Sequence, residues 1–233
     1  MSAPTPPPTD DDPGFLVRLT LRIVLGIAFT GALLLLPSGS WAFWPAWLYL
    51  AVLFGPMLAV TFYFLRHDRA LLHRRMESRE VEPAQRMIIT ISALVCIGGF
   101  LLPGLDFRYG WSSLPVAVIL AANLCVFLGY LVTFWVLKTN SYAARTIRVE
   151  TDQRVIDTGP YAKVRHPMYT GVMVMMLASP LALGSLAALP AFLLLPPLLI
   201  GRILNEEKVL REQLAGYTEY CERVRYRLVP GLW

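Results

Sequence analysis

The chain has 233 residues, of which 56% are hydrophobic and 16% are charged, and its mean hydropathy is +0.53. Soluble domains usually carry about a quarter charged residues, so this composition excludes an ordinary soluble domain and predicts a membrane protein. The net charge of +5 could suit nucleic acid, but the basic residues lie between hydrophobic runs and form no aromatic-interleaved basic pattern. We therefore predict membrane lipids, and no nucleic acid, as partners of the basic loops.

The chain begins with a tail rich in proline and aspartate, residues 1–14, which we predict to be disordered. Residues 15–233 then form one predicted transmembrane domain. A helix of about 20 apolar residues crosses the hydrocarbon core of a bilayer. Six segments meet or approach that length: Leu16 to Leu36, Phe43 to Leu65, Met87 to Leu105, Leu114 to Leu137, Met168 to Leu183 and Leu186 to Leu204. The predicted fold is all-α, a polytopic membrane protein with about six transmembrane helices whose last two form a hairpin around Gly184-Ser185.

The distribution of Lys and Arg predicts the orientation of this domain. Every basic residue except Arg108 lies on the same predicted side of the six segments. Cytoplasmic loops carry an excess of Lys and Arg, so both termini are predicted to lie in the cytoplasm, with the helices in the inner (plasma) membrane. An aromatic belt is predicted at the opposite ends of the helices, formed by Trp41, Trp44, Trp47, Tyr109 and Trp111.

The apolar segments contain almost no ionisable residues, which argues against a proton-coupled transporter. Polar chemistry is predicted instead at the cytoplasmic ends, in two clusters. The first runs from Gln153 to Gly171 and contains Arg165-His166-Pro167, with Pro167 suited to the first turn of a helix. The second is Arg202 with Glu206-Glu207, where Arg202 and Glu206 share one helix face. In a non-enzymatic transporter or assembly protein, both clusters would merely cap helices.

The order of these motifs resembles the isoprenylcysteine carboxyl methyltransferase family and the related phospholipid methyltransferases. The resemblance comprises Gly-x-Tyr, Arg-His-Pro-x-Tyr-x-Gly, an apolar hairpin, Glu-Glu-x-x-Leu, then Tyr-x-x-Tyr and a basic tail with Pro230. It covers about residues 140–233, which it identifies as the cofactor-binding part. It implies an enzyme that is integral to the membrane and uses S-adenosylmethionine in a cytoplasmic pocket.

The resemblance also implies roles for individual residues. Arg202 matches the arginine that faces the methyl-accepting carboxylate, and it is the predicted catalytic residue. Glu206 is expected to hydrogen-bond the cofactor, with Glu207 beside it, and Gly171 to allow close helix approach. The other predicted cofactor-binding residues are a strand-like stretch and the helix start that follows it: Gln153, Arg154, Val155, Ile156, Tyr161, His166, Pro167, Met168 and Tyr169.

The acceptor stays open between three chemistries. Carboxyl O-methylation of a lipidic or small molecule is the first choice, because an ionised carboxylate needs no general base. Phospholipid N-methylation and thiol S-methylation are the alternatives, and either would need a proton acceptor such as His166 or a tyrosine. No metal is predicted, since no His, Cys or carboxylate set has ligand spacing.

Overall fold

A computed structural model describes residues 14–76, 83–143 and 153–233 of the protein. These residues form an all-helical structure, as predicted, and the predicted disordered tail lies almost wholly outside them. The α-helices are α1 (Phe15–Ser38), α2 (Trp44–His67), α3 (Arg69–Met76), α4 (Pro83–Tyr109), α5 (Val116–Thr139), α6 (Pro167–Ala182), α7 (Leu189–Leu193), α8 (Leu195–Gln213) and α9 (Tyr217–Arg223). A short 3-10 helix, Gly159–Ala162, precedes α6.

Five stretches of helix are long and apolar enough to cross a membrane. They are Phe15–Ser38, Trp44–His67, Gln85–Tyr109, Val116–Thr139 and the stretch Leu189–Gln213, which comprises α7 and α8. Helix α6 is apolar but has only 16 residues, or about 24 Å at the usual rise per residue. The chain is therefore an integral membrane protein with five full-length candidate spans and one shorter apolar helix.

The predicted hairpin is present, and its turn depends on one glycine. After α6 ends, Gly184 adopts a left-handed conformation with φ +73°, which favours a residue without a Cβ. The N–H groups of Gly184 and Ser185 donate to the carbonyls of Leu181 and Pro180, so the chain reverses within a few residues. The sixth predicted segment is not one straight helix, because it is interrupted at Leu194, just before Pro196 and Pro197.

Helix α6 lies directly against α5 at a contact between two glycines. A Cβ atom on Gly171 would come within 2.7 Å of the carbonyl oxygen of Gly129, and a Cβ on Gly129 would come equally close to that of Gly171. Only glycine allows the two backbones to pack at this distance. The predicted close approach at Gly171 is confirmed, and it fixes the start of α6 relative to α5.

The two ends of the bundle differ in their polar groups. At the end that holds the turns 39–43, 110–115 and 183–188, Asp106 is buried and accepts hydrogen bonds from Ser112 and Ser185. We call this the Asp106 end. The opposite end holds α3, the 3-10 helix, the start of α6 and α9, and we call it the pocket end.

Two features of the pocket end differ from the prediction. The expected strand-like stretch Gln153–Ile156 forms no strand and carries no regular secondary structure. Helices α3 and α9 were not predicted, because they are too short and polar for apolar periodicity to reveal them. Both contribute residues to the candidate site.

Candidate functional site

A polar pocket opens at the pocket end, between the end of α5, the start of α6, α8 and α9. Most of the predicted cofactor-binding residues line it: Gln153, Arg154, Val155, Ile156, Tyr161, His166, Pro167, Met168, Tyr169 and Glu206. The two clusters that are far apart in sequence therefore share one cavity. Of the other predicted residues, Gly171, Arg202 and Glu207 do not line this pocket.

Tyr169 joins the two clusters through its hydroxyl group. The hydroxyl donates to the Glu206 carboxylate at 2.6 Å and accepts a hydrogen bond from Nε of Arg202 at 2.9 Å. Arg202 and Glu206 thus contact the same phenol from consecutive turns of α8. Charge-assisted hydrogen bonds of this kind are short and directional, so the three side chains hold one another in a fixed arrangement.

Glu207 lies behind the pocket wall, where its carboxylate joins segments of the chain instead of facing the pocket. Its carboxylate is 5% exposed and pairs with Nε of Arg165 at 2.8 Å, with Arg227 at 3.1 Å and with Nε2 of His166 at 3.3 Å. These contacts connect α8 to the Arg-His-Pro motif and to the C-terminal segment. Glu207 is a buried charge compensated by the two arginines Arg165 and Arg227, whereas its neighbour Glu206 faces the pocket.

The C-terminal segment fixes the start of α6 through its backbone. The N–H groups of Arg165 and His166 donate to the carbonyls of Tyr226 and Arg227, each at 2.9 Å. The hydroxyl of Thr170 donates to the carbonyl of Leu228 at 2.8 Å. The N–H groups just before the helix therefore already donate to the C-terminal segment. The polar atoms that the motif offers to the pocket are those of its side chains.

Three of the tyrosines that line the pocket, Tyr161, Tyr217 and Tyr220, form one aromatic wall. Tyr161 accepts a hydrogen bond from Asn140 at 3.0 Å, and Tyr220 donates to the carbonyl of Tyr161 at 2.8 Å. Tyr217 is 5% exposed, and its buried hydroxyl has no hydrogen-bond partner among the described residues. A buried hydroxyl is costly without a partner, so Tyr217 is the polar group in this wall most in need of a ligand.

The tyrosines of this wall are hydrogen-bonding groups rather than bases. Burial raises the pKa of Tyr161 to about 12, although the hydrogen bond from Asn140 lowers it. Burial likewise raises the pKa values of Tyr217 and Tyr220 well above the ordinary value. Their phenols therefore stay protonated over the physiological pH range.

A second, apolar cavity of about 440 Å³ lies between α4, α6 and α8. Isoleucine, leucine, methionine and valine side chains form most of its wall. Arg202 and Arg75 also line it. Met168 and Tyr169 line both cavities, so these two residues form the boundary between them.

Sequence reasoning missed several residues of the polar pocket. They are Asn140, Tyr142, Ala143, Arg165, Leu210, Leu214, Tyr217 and Tyr220. The Tyr-x-x-Tyr spacing that carried part of the resemblance could have identified Tyr217 and Tyr220, because residues three apart share one helix face.

The geometry defines a polytopic membrane protein with a polar pocket next to an apolar cavity. Residues 117–216 match the family model described as phospholipid methyltransferase, which confirms the resemblance predicted from the sequence. The matched region runs from α5 into the α8–α9 link and includes Tyr169, Arg202 and Glu206. It excludes α1 to α4 and is less than half of the chain.

The chain is also similar to a Delta(14)-sterol reductase of Mus musculus, with 36% identity over 91 residues. The aligned region makes up 38% of this chain but only 22% of that reductase. The chain thus spans about a fifth of the length of this curated relative. The two descriptions name different reactions, a methyl transfer and a reduction.

Proposed function

We propose that this protein is an S-adenosylmethionine-dependent methyltransferase that acts on a lipidic or small acceptor, with carboxyl O-methylation as the first choice. The observation that carries the proposal is the shared wall of Met168 and Tyr169 between a polar pocket and an apolar cavity. A polar methyl donor and an apolar acceptor need two unlike cavities that meet at one point. This arrangement supplies both.

The residues of the polar pocket fit the chemical groups of S-adenosylmethionine. Its ribose hydroxyls and ammonium suit the Glu206 carboxylate, and the unpartnered hydroxyl of Tyr217 can bond a polar atom of the ligand. The apolar side chains of Val155, Leu210 and Leu214 suit a flat base. When bound, this cofactor would supply an electrophilic methyl group on a sulfonium.

The chain's own residues would orient the reaction and exclude water. Arg202 contacts Tyr169 and lines the apolar cavity, so it lies where an acceptor carboxylate would meet the pocket. The carboxylate would form the new O–CH3 bond as the S–CH3 bond breaks, and the sulfur would keep the bonding electrons. No proton moves, and catalysis would rest on positioning and desolvation.

The proposal includes the side of the membrane that the pocket faces, which is the cytoplasmic side, and the membrane itself, which is the inner (plasma) membrane. The pocket end carries α3, whose last turn holds His73, Arg74 and Arg75, while the Asp106 end carries exposed Trp41 and Trp111. This distribution supports a cytoplasmic pocket and cytoplasmic termini in the inner (plasma) membrane.

The experiment is methyl transfer from S-adenosylmethionine labelled in its methyl group, with the protein in lipid nanodiscs and a total lipid extract as acceptor. We expect label in the lipid fraction. Alkali should release it as methanol from a carboxyl ester, whereas methylated amines and thioethers keep it. Label that survives alkali would reject O-methylation and favour N- or S-methylation.

A second candidate, a reductase, is favoured by one observation, the 36% identity to the Delta(14)-sterol reductase. The same nanodiscs are therefore incubated with NADPH and a sterol containing a Δ14 double bond, and products are followed by mass spectrometry. Gain of two mass units by the sterol, with no methyl transfer in the first assay, would overturn the methyltransferase proposal.

A further inference from the structure

The apolar cavity has a cationic wall next to the boundary residues. Arg202 reaches the boundary through its hydrogen bond to Tyr169, and Nη1 of Arg75 lies 3.9 Å from the sulfur of Met168. Both arginines line the cavity. In the described part of the chain, they are the charged side chains on its wall.

Arg75 reaches this position from a part of the chain outside the family match. It lies in the last turn of α3, and its Nη1 donates to the carbonyl of Ala143 at 3.1 Å. Ala143 lines the polar pocket, so Arg75 contacts the walls of both cavities. The contact fixes the guanidinium at the boundary rather than out in the headgroup region.

Two guanidinium groups beside a hydrocarbon-lined cavity define the chemistry of a matching ligand. A guanidinium binds carboxylates and phosphates through paired N–H donors, and such bonds strengthen where water is excluded. The aliphatic wall suits an alkyl or isoprenoid chain. The ligand that satisfies both is an amphiphile with an anionic head and an apolar tail.

We infer that Arg75 is a specificity-determining residue that, with Arg202, binds the anionic head group of the acceptor while the cavity holds its chain. This inference rests on the proposed function. The anion is either a carboxylate that accepts the methyl group or a phosphate beside another accepting group. Both groups are anions and need a cationic partner. Arg75, which lies outside the family match, supplies one.

The test is calorimetric titration of the protein in phosphatidylcholine nanodiscs with three six-carbon probes, hexyl phosphate, hexanoate and hexanol. Empty nanodiscs provide the blank for partitioning into lipid. We expect both anions to bind more tightly than hexanol. Arg75→Met should weaken both anions by about tenfold or more, since a charge-assisted bond is lost, and leave hexanol unchanged. Arg75→Lys, which keeps the charge but not the fork, should recover part of the loss.

The matched control is Arg74→Met. Arg74 also donates to a carbonyl of the same loop, that of Ser141 at 3.1 Å, but it lines neither cavity. It should leave all three affinities unchanged. Equal losses for Arg74→Met and Arg75→Met, or hexanol binding as tightly as the anions, would overturn the inference.

The probes also distinguish the two sources of the anion. Tighter binding of hexyl phosphate assigns a phospholipid head group, and tighter binding of hexanoate assigns a carboxylate acceptor. S-adenosylhomocysteine titrated into the same samples separates this inference from the proposed function. Binding of S-adenosylhomocysteine without an anion preference overturns the role of Arg75 and leaves the methyltransferase proposal intact. An anion preference without binding of S-adenosylhomocysteine overturns the methyltransferase proposal, and Arg75 then belongs to an anion site of another function.

Discussion

The Asp106 end and the pocket end both bury polar side chains, but they satisfy them differently. At the Asp106 end, the carboxylate accepts hydrogen bonds from the backbone and hydroxyl of Ser112 and from the hydroxyl of Ser185. At the pocket end, Glu206 faces a cavity and the Tyr217 hydroxyl has no partner among the described residues. A network closed on itself stabilises the fold, whereas one that ends at a cavity is available to a ligand.

Two adjacent residues, Glu206 and Glu207, show the same difference within the pocket end. Glu207 pairs with Arg165, His166 and Arg227, and it belongs to a closed network. Among the described residues, Glu206 accepts one hydrogen bond, from Tyr169, and it lines the pocket. Substitutions in a closed network should therefore change stability, whereas substitutions at the cavity should change ligand binding.

The largest expected effect is on stability, from Glu207→Gln. Removing this charge leaves Arg165 buried without its carboxylate, which should cost about 3–5 kcal/mol. Thermal unfolding in nanodiscs, followed by circular dichroism, measures the change. An unfolding midpoint equal to that of the wild type would show that the Glu207 network does not hold α8 to the start of α6.

The next effect is on turnover, from Arg202→Met. The variant should bind S-adenosylhomocysteine normally but transfer methyl groups about 10²- to 10³-fold more slowly, since a positioned charge at the reacting group is lost. Arg211→Met, on the exposed surface of the same helix, is the control. Equal losses of cofactor binding and methyl transfer would reject Arg202 as the catalytic residue.

A smaller effect on stability is expected from Asp106→Asn. The amide replaces one acceptor oxygen with a donor that faces other donors, at a cost of about 1–3 kcal/mol. The same unfolding measurement applies. Binding of S-adenosylhomocysteine should be unchanged, and a loss of binding would contradict the division between the two ends.

The smallest effect is expected from Tyr217→Phe. Deleting an unpartnered hydroxyl should leave stability equal or slightly higher, while cofactor affinity falls by about tenfold, the equivalent of one hydrogen bond. Tyr220→Phe is the matched control, because that hydroxyl already donates to the carbonyl of Tyr161. It should lower stability and spare binding, and the reverse pattern would assign the ligand contact to Tyr220.

Much of the fold could be predicted from the sequence, because long apolar runs form transmembrane helices in a membrane. The helix α5 (Val116–Thr139) lies where hydropathy predicted a span, and the turn at Gly184 lies where the Gly184-Ser185 pair predicted a hairpin. Helix α3 could not be predicted, since eight residues rich in arginine lack an apolar stripe. The break at Leu194 lies just before Pro196 and Pro197, but whether a proline interrupts a membrane helix depends on how that helix packs, so the sequence alone did not predict the break.

The site could be predicted in part, because the motifs define which segments meet but not which atoms face the cavity. Glu206 and Glu207 are adjacent in sequence, and only the orientation of α8 separates a pocket residue from a buried ion pair. The role of Tyr169 between Arg202 and Glu206 required the helices to be placed together. The unpartnered state of the Tyr217 hydroxyl is likewise a property of packing.

Whether the polar pocket binds the cofactor is tested by a calorimetric titration of S-adenosylhomocysteine into the wild type and into Glu206→Gln, both in nanodiscs. We expect saturable binding by the wild type. The affinity of the variant should be about 10- to 100-fold weaker, because a charged acceptor in the pocket is lost while the fold is kept. Absence of binding by a folded wild type, or identical affinity in both proteins, would show that this pocket is not the cofactor site.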